Sequence, residues 1–402
     1  MQIKFNDLGA QWKVIEPEAL PKIQKLLESG NYIGGSAVGE FETNFAKYCG
    51  IKYGIGVSNG TDALKLCIQS LLLKYNKTKL RVIMPANTYI ADALAVSCQN
   101  DLDDVTIRLV NCNRYYQMDT MELKEYVSKY DTESYETKKD WLNIILVVHL
   151  YGRVNDMEEI SDIAKKYNWL ILEDASQAHG AMFYNKMVGQ FGVLTAYSLY
   201  PGKNLGAAGD AGIITTNDDV LRSIIESLRN YGSSQKYYYD YIGWNHRLDP
   251  IQAIILNEKL KYLDIWNAKR IEIAKKYTEL IKSDQRLKSL RTQYHEEPWT
   301  KNKNVYHIYP VEIEKIYRDP LQKFLAARGI PTIIHYPIPI HKTTPFNYLD
   351  NELLEFTNII CDRILSLPMH PFLTDEEITH VITSIGDFYA NPFQGITISR
   401  SS

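Results

Sequence analysis

Lys203 lies in the stretch Ser198-Leu199-Tyr200-Pro201-Gly202-Lys203-Asn204-Leu205-Gly206-Ala207-Ala208-Gly209-Asp210-Ala211-Gly212, among hydroxyls and glycines and just after a short strand-like run. A primary amine fixed in a turn at a strand end is placed to form a Schiff base with a carbonyl, which sets it apart from a solvated surface lysine. Upstream, Asp174 closes another apolar run, in Glu173-Asp174-Ala175-Ser176-Gln177-Ala178-His179-Gly180. A carboxylate there can pair with a cationic ring nitrogen, or it can cap the next helix. The residues alone leave both readings open. Gln177 can hydrogen-bond a phenolic oxygen or act as a cap, and His179 reads as a structural histidine. A third constellation, Ser58-Asn59-Gly60-Thr61-Asp62-Ala63-Leu64, joins a strand to a helix. Gly60 lets the backbone approach an anion, and free amides with the Thr61 hydroxyl at a helix start suit a phosphate. Ordinary capping also accounts for this motif. The Walker loop and the dinucleotide glycine fingerprint are both absent.

These residues need elements to hold them. Short apolar strands alternate with helical stretches from about residue 50 to 215. Strands are expected at Ile55–Ser58, Arg81–Met84, Asn143–His149, Trp169–Asp174, Thr195–Ser198 and Ala211–Thr216. Helices are expected at Thr61–Lys74, Tyr89–Gln99 and Asp156–Asn168. The alternation predicts an α/β domain with a largely parallel sheet, whose ligands sit at the carboxyl ends of strands. Tyr126–Asp140 reads as an inserted charged excursion. Leu248–Arg270 reads as one long amphipathic helix leading into a second domain, with a helix at Pro320–Arg328, a strand at Thr332–Tyr336 and a final helix at Thr374–Tyr389. The expected division is 1–250 for a large cofactor-binding domain, 251–390 for a smaller α+β domain, and 391–402 for a flexible tail.

The 402-residue chain has room for two sizeable cores. A net charge of −3 gives no basic field for nucleic acid or a membrane surface. Five scattered cysteines without a CxxC pair point to a reduced, cytoplasmic protein. No run approaches the length of a membrane span, and the nine histidines show no metal-ligand spacing, so no metal is expected.

A phosphate-binding helix start, a strand-end acid and a downstream lysine, in that order, suggest a fold-type I pyridoxal phosphate enzyme. The sequence resembles the DegT/DnrJ/EryC1/StrS nucleotide-sugar aminotransferases over nearly its whole length. The resemblance is carried by Gly34–Val38 with Phe41-Glu42, Gly60–Leu64, Pro85–Tyr89, Val148–Gly152, Glu173–Ala175, Tyr200–Gly206, Arg229–Ser233, Gly243–Asp249, Tyr306–Tyr309, His335–Pro337 and Leu367–Pro371. It implies that Lys203 carries pyridoxal 5'-phosphate covalently and shuttles the proton. Asp174 would pair with the pyridine nitrogen, Gln177 would meet the phenolic oxygen, and Tyr89 would lie against the ring. Gly60, Thr61, Asp62 and Ser198 would hold the phosphate. Asn245 would reach it from the neighbouring subunit of a homodimer. Lys236, Tyr237, His307 and His335 are the candidates for nucleotide-sugar contacts; the Tyr-rich run equally suits an interface or loop cover.

The resemblance also implies a ping-pong transfer from L-glutamate to a nucleotide-linked keto sugar. The loop Lys203–Gly206 with Gly209-Asp210 resembles that of members acting on carbon 3 of a 3-keto-6-deoxy sugar. Members acting on carbon 4 carry a Thr-rich or Glu-Gly-Gly loop, and carbon 4 is the alternative. A second alternative is a non-catalytic sugar-binding or regulatory member. Lys203 argues against dehydrating relatives, which carry His there. His246 stands where Ser is common, Pro250 where Glu is common, and Asn111-Cys112-Asn113 replaces an acidic stretch.

Overall fold

The computed structural model describes residues 1–99, 102–134, 139–292, 302–349 and 354–392. Seven strands form the main sheet: β1 (Tyr53–Val57), β2 (Lys79–Pro85), β3 (Asp104–Val110), β4 (Trp141–Val148), β5 (Leu170–Asp174), β6 (Leu194–Ser198) and β7 (Gly212–Thr216). Their spatial order is β1-β7-β6-β5-β4-β2-β3, and only β7 runs antiparallel to its neighbours. The α/β fold with a mixed, mostly parallel sheet is therefore as expected. Period-two alternation explains why both faces are covered. Ile144, Leu146 and Val148 of β4 enter one core, while Ile145 and Val147 enter the other.

Helices pack on these two faces: α1 (Leu8–Ser29), α2 (Ser36–Cys49), α3 (Gly60–Tyr75), α4 (Ala91–Ser97), α5 (Thr120–Asp131), α6 (Met157–Tyr167), α7 (Asp219–Leu228) and α8 (Pro250–Leu260). The helix starts read from sequence follow cap chemistry. Asn59 accepts from the Asp62 N–H at the head of α3, and Asp156 accepts from Glu159 N–H at the head of α6. A third core gathers Ile3, Tyr277, Tyr309, Val311, Leu365, Val381, Ile385 and Phe388. It is built by α9 (Leu263–Ser283), β8 (Tyr309–Glu312), α10 (Lys315–Ala327), β9 (Ile364–Leu367) and α12 (Asp375–Ala390), while α11 (Glu355–Arg363) sends Ile360 into the core that holds Ile144. Thr374 and Glu377 close a capping box at α12, as a Thr at that helix start predicts.

Three expected elements differ. The helix expected at Leu248–Arg270 is two helices, α8 and α9, interrupted at Lys261-Tyr262. The break lets the chain pass from the large sheet, where Ala253 and Leu256 are buried, to the third core, where Tyr277 and Ile281 are buried. Thr332–Tyr336 is not a strand; one bridge, Ile333 to Ser366, is all the pairing it makes. Pro331 and Pro337 bracket it and withhold the N–H groups that would extend a ladder. The Tyr126–Asp140 segment is not an excursion at its start. Tyr126 and Val127 are buried in α5, and the Arg81 guanidinium lies 3.8 Å from the Tyr130 ring centre and 3.1 Å from Glu133. Residues 135–138 of that segment, and the expected tail from 393 on, fall outside the described residues. Among the described residues no helix is long and apolar enough to cross a membrane, and no group of three or more His, Cys, Asp or Glu can hold a metal.

Candidate active site

The carboxyl ends of β5 and β6 and the head of α3 converge. At α3, Asn59 takes the Asp62 N–H at 2.9 Å, and Asp62 accepts from the Asn59 amide at 2.7 Å and from Ser58. The first-turn N–H groups of Gly60 and Thr61 have no intrahelical partner by helix geometry. Gly60 packs directly on Ser198: a Cβ at residue 60 would come within 2.6 Å of the Ser198 Cβ. Glycine thus brings the α3 amides and the Ser198 side chain to one place, a polar cradle suited to an anion.

Lys203 follows β6 in a tightly anchored turn. Its N–H donates to Tyr200 C=O at 2.8 Å, and Ala207 N–H donates to Leu199 C=O at 2.8 Å. The buried Asn204 amide donates to Asn267 Oδ1 at 2.8 Å and to Val305 C=O at 3.0 Å. The amine itself makes no hydrogen bond or ion pair among the described residues. Desolvation lowers its pKa to about 8, opposed by the nearby carboxyl groups of Asp174 and Asp92. Lys203 is therefore deprotonated far more readily than a solvated lysine, as a nucleophilic amine requires.

Asp174, 7% exposed, ends β5 and accepts the Ser176 N–H at 2.9 Å. Its neighbour Glu173 points the other way, as strand alternation demands, and is a structural anchor. It pairs with His149 at 3.1 Å and accepts the N–H groups of Gly189, Phe191 and Gly192. Burial works against its charge, but His149 and those amides outweigh it and hold the Glu173 carboxyl below its ordinary value. Asp92, on α4, was not foreseen. It is fully buried, accepts from Thr88 Oγ1, and lies within side-chain hydrogen-bond reach of Asp174. Its sequence signal is a single charge inside the apolar run Ile90-Ala91-Asp92-Ala93-Leu94-Ala95-Val96.

Gln177 is held at both ends: its Oε1 accepts the Tyr151 N–H at 2.6 Å, and its amide donates to Tyr336 Oη at 3.1 Å. One amide hydrogen remains for a ligand oxygen. The Tyr89 and Tyr336 rings lie 5.6 Å apart, with Tyr89 54% exposed and able to cover a planar group. His307 Nδ1 meets Asn204 Oδ1 at 3.1 Å and His335 Nδ1 meets Ser366 Oγ at 3.0 Å. Burial first, then the Lys203 charge, lowers His307 well below its ordinary value and His335 to about 4; His179, fully buried, falls to about 3 for the same two reasons. All three are neutral at pH 7. Two candidates stand apart: Lys236 and Tyr237 form the exposed turn of the Ser233–Tyr239 hairpin, with the amine 5.1 Å from the ring centre. No hydrogen bond or ion pair among the described residues ties that turn to Lys203. Asn245 is also exposed, while adjoining His246 reaches Asp62 at 3.2 Å.

An enclosed amine, a strand-end carboxylate and an anion cradle on this sheet define a fold-type I transferase of the pyridoxal-phosphate type. The chain belongs to the DegT/DnrJ/EryC1/StrS aminotransferase family, whose model matches residues 13–386. This family depends in general on pyridoxal phosphate. The chain is 40% identical, across 96% of its length and 99% of the relative's, to the dTDP-3-amino-3,6-dideoxy-alpha-D-galactopyranose transaminase of Aneurinibacillus thermoaerophilus. It is 34% identical, across 97% and 99%, to a protein of Geobacillus stearothermophilus called a pleiotropic regulatory protein. The structure of S. venezuelae DesV in complex with a ketimine intermediate superposes with a TM-score of 0.85 at 32% identity, across 96% and 98% of the two chains.

Proposed function

We propose that the protein uses pyridoxal 5'-phosphate to move an amino group from L-glutamate to carbon 3 of a dTDP-3-keto-6-deoxyhexose. The observation that carries the chemistry is the desolvated Lys203 amine facing the Asp174 carboxylate at the sheet's carboxyl edge. The full-length likeness to the dTDP-3-amino sugar transaminase supports the substrate class, as does the Lys203–Asp210 loop.

The bound cofactor supplies an aldehyde carbon that carries the amino group and a ring that takes up electrons. The chain supplies everything else. The α3 amides, Thr61 and Ser198 hold the phosphate, with Asp62 fixing the turn. Asp174 keeps the ring nitrogen protonated, Gln177 donates to the phenolic oxygen, and Tyr89 covers one face. Lys203 would hold the cofactor covalently until the donor's amine arrives, and its freed amine would then take up and return the proton of the donor's α-carbon. The same lysine reverses that transfer for the keto sugar. His307 and His335, neutral at pH 7, can donate or accept toward sugar hydroxyls.

On this reading the large domain ends near residue 250, and His307 and His335 come from the smaller one. The working unit is a homodimer in which Asn245 of one protomer reaches the phosphate of the other. The exposed Asn245, Tyr231, Ile242 and Tyr237–Tyr239 support such a covered surface.

Pure enzyme incubated with glutamate and each keto-sugar nucleotide, with the amine located by NMR, tests the assignment. An amine at carbon 4 alone would overturn the carbon 3 reading. The regulatory name of the Geobacillus relative keeps a binding role in view. Purified protein absorbing near the visible edge and bleaching with glutamate supports catalysis, and a colourless protein that cannot be reconstituted supports the other role.

A further inference from the structure

Asp92 has no part in the scheme above, yet it is an acid buried completely beside the site. It is 0% exposed on the first turn of α4. Its Oδ2 accepts from Thr88 Oγ1, while its Oδ1 has no partner that can donate among the described residues. The group within reach is the carboxylate of Asp174, itself buried. Two carboxylates that close, away from water, cannot both be charged; one proton shared between them removes the repulsion. A proton on Oδ1 turns an orphaned acceptor into a donor aimed at Asp174.

We propose that Asp92 is a positioning residue: held as the neutral acid, it donates to Asp174 and fixes the single negative charge of the pair on the carboxylate that serves the ring nitrogen. The inference rests on the functional reading for its last clause alone. The groups facing the pair are Lys203 from the β6–β7 loop, Cys67 from α3, Thr88 from the turn before α4 and the Tyr336 phenol. Burial first and the Asp174 charge second drive Asp92 well above the ordinary carboxylate range, with Thr88 and Lys203 opposing. Lys203 thus meets one net negative charge, and Asp174 keeps a fixed hydrogen-bond geometry. A second full charge would instead raise the lysine.

Apo-protein, Asp92→Asn and Asp92→Ala test this without cofactor and with it. Infrared titration of apo wild type should show a protonated-carboxyl band at pH 7 that both variants lack. Asp92→Asn, which still donates, should leave the Lys203 titration in place and pyridoxal phosphate affinity within about 3-fold of wild type. Asp92→Ala should weaken that affinity roughly 10- to 100-fold, as the loss of a buried hydrogen bond to a charged group does. A missing band in wild type, a band that survives in Asp92→Asn, or a Lys203 titration moved by about one pKa unit in Asp92→Asn would each overturn the proposal. Wild type that binds no pyridoxal phosphate would sink the functional reading instead, since the band and the lysine titration are read without it.

Discussion

Lys203 carries two separable consequences. Lys203→Ala should lower transamination at least about 1000-fold, the scale of losing a covalent anchor that is also the proton carrier. It should also remove the visible-edge absorbance in a spectral titration, and retained activity would overturn the assignment. The second consequence concerns protons in the apo-protein. The folded chain releases the Lys203 proton near pH 8, whereas the unfolded chain holds it to the ordinary value of 10.5. The unfolded state therefore binds more protons between these values, so stability rises with pH across that window. Below pH 8 the cost of the buried charge is fully present. Lys203→Met should stabilise the apo-protein there by up to about 3 kcal/mol, with the gain shrinking toward pH 10.5. Thermal melts of both proteins from pH 7 to 10.5 measure this.

At the scale of elements, the site depends on how closely α3 meets β6. Gly60→Ala places a methyl within 2.6 Å of the Ser198 Cβ, so the helix head must retreat. Pyridoxal phosphate affinity should fall about 10-fold or more as the amides lose their alignment, with secondary structure unchanged, in a fluorescence titration. Glu173 shows the opposite dependence. His149→Ala strands a fully buried carboxylate among its amides and should cost about 3 kcal/mol in denaturant unfolding.

These elements were legible to different degrees. The heads of α3, α6 and α12 carry cap residues whose chemistry is local, so sequence reading places them. Asp174 and Ser198 fall at strand ends and Lys203 in the glycine-rich turn after β6, which alternation also reveals. The break at Lys261-Tyr262 has no Gly or Pro, since it is imposed by the two cores that α8 and α9 must reach. Asp92 was missed for a related reason: only the fold brings it beside Asp174, 82 positions along the chain. The carbonyl end of Gln177 being taken by the Tyr151 amide is equally a long-range fact.

At the scale of the molecule, the proposed sharing of a site across a dimer can be tested by complementation. Homodimers of Lys203→Ala and of Asn245→Ala should each be weak or inactive. Mixed and allowed to exchange, half the dimers are hybrids with one intact site, so activity should return to about a quarter of wild type. No recovery after exchange, shown by native mass spectrometry, would place Asn245 outside its neighbour's site.

Within the main sheet the edge strand β1 pairs with β7, Tyr53 opposite Thr216, and α3 follows β1 in the chain. A ribosome therefore makes the α3 head early, and Ser198 and the strand that supports them late. More than half of the 402 residues must emerge before β1 has a partner and the α3 head meets Ser198. The nascent chain carries its cofactor-capturing turn for that whole interval without the means to use it. On the proposed function, vitamin loading waits until the protein's central sheet is complete.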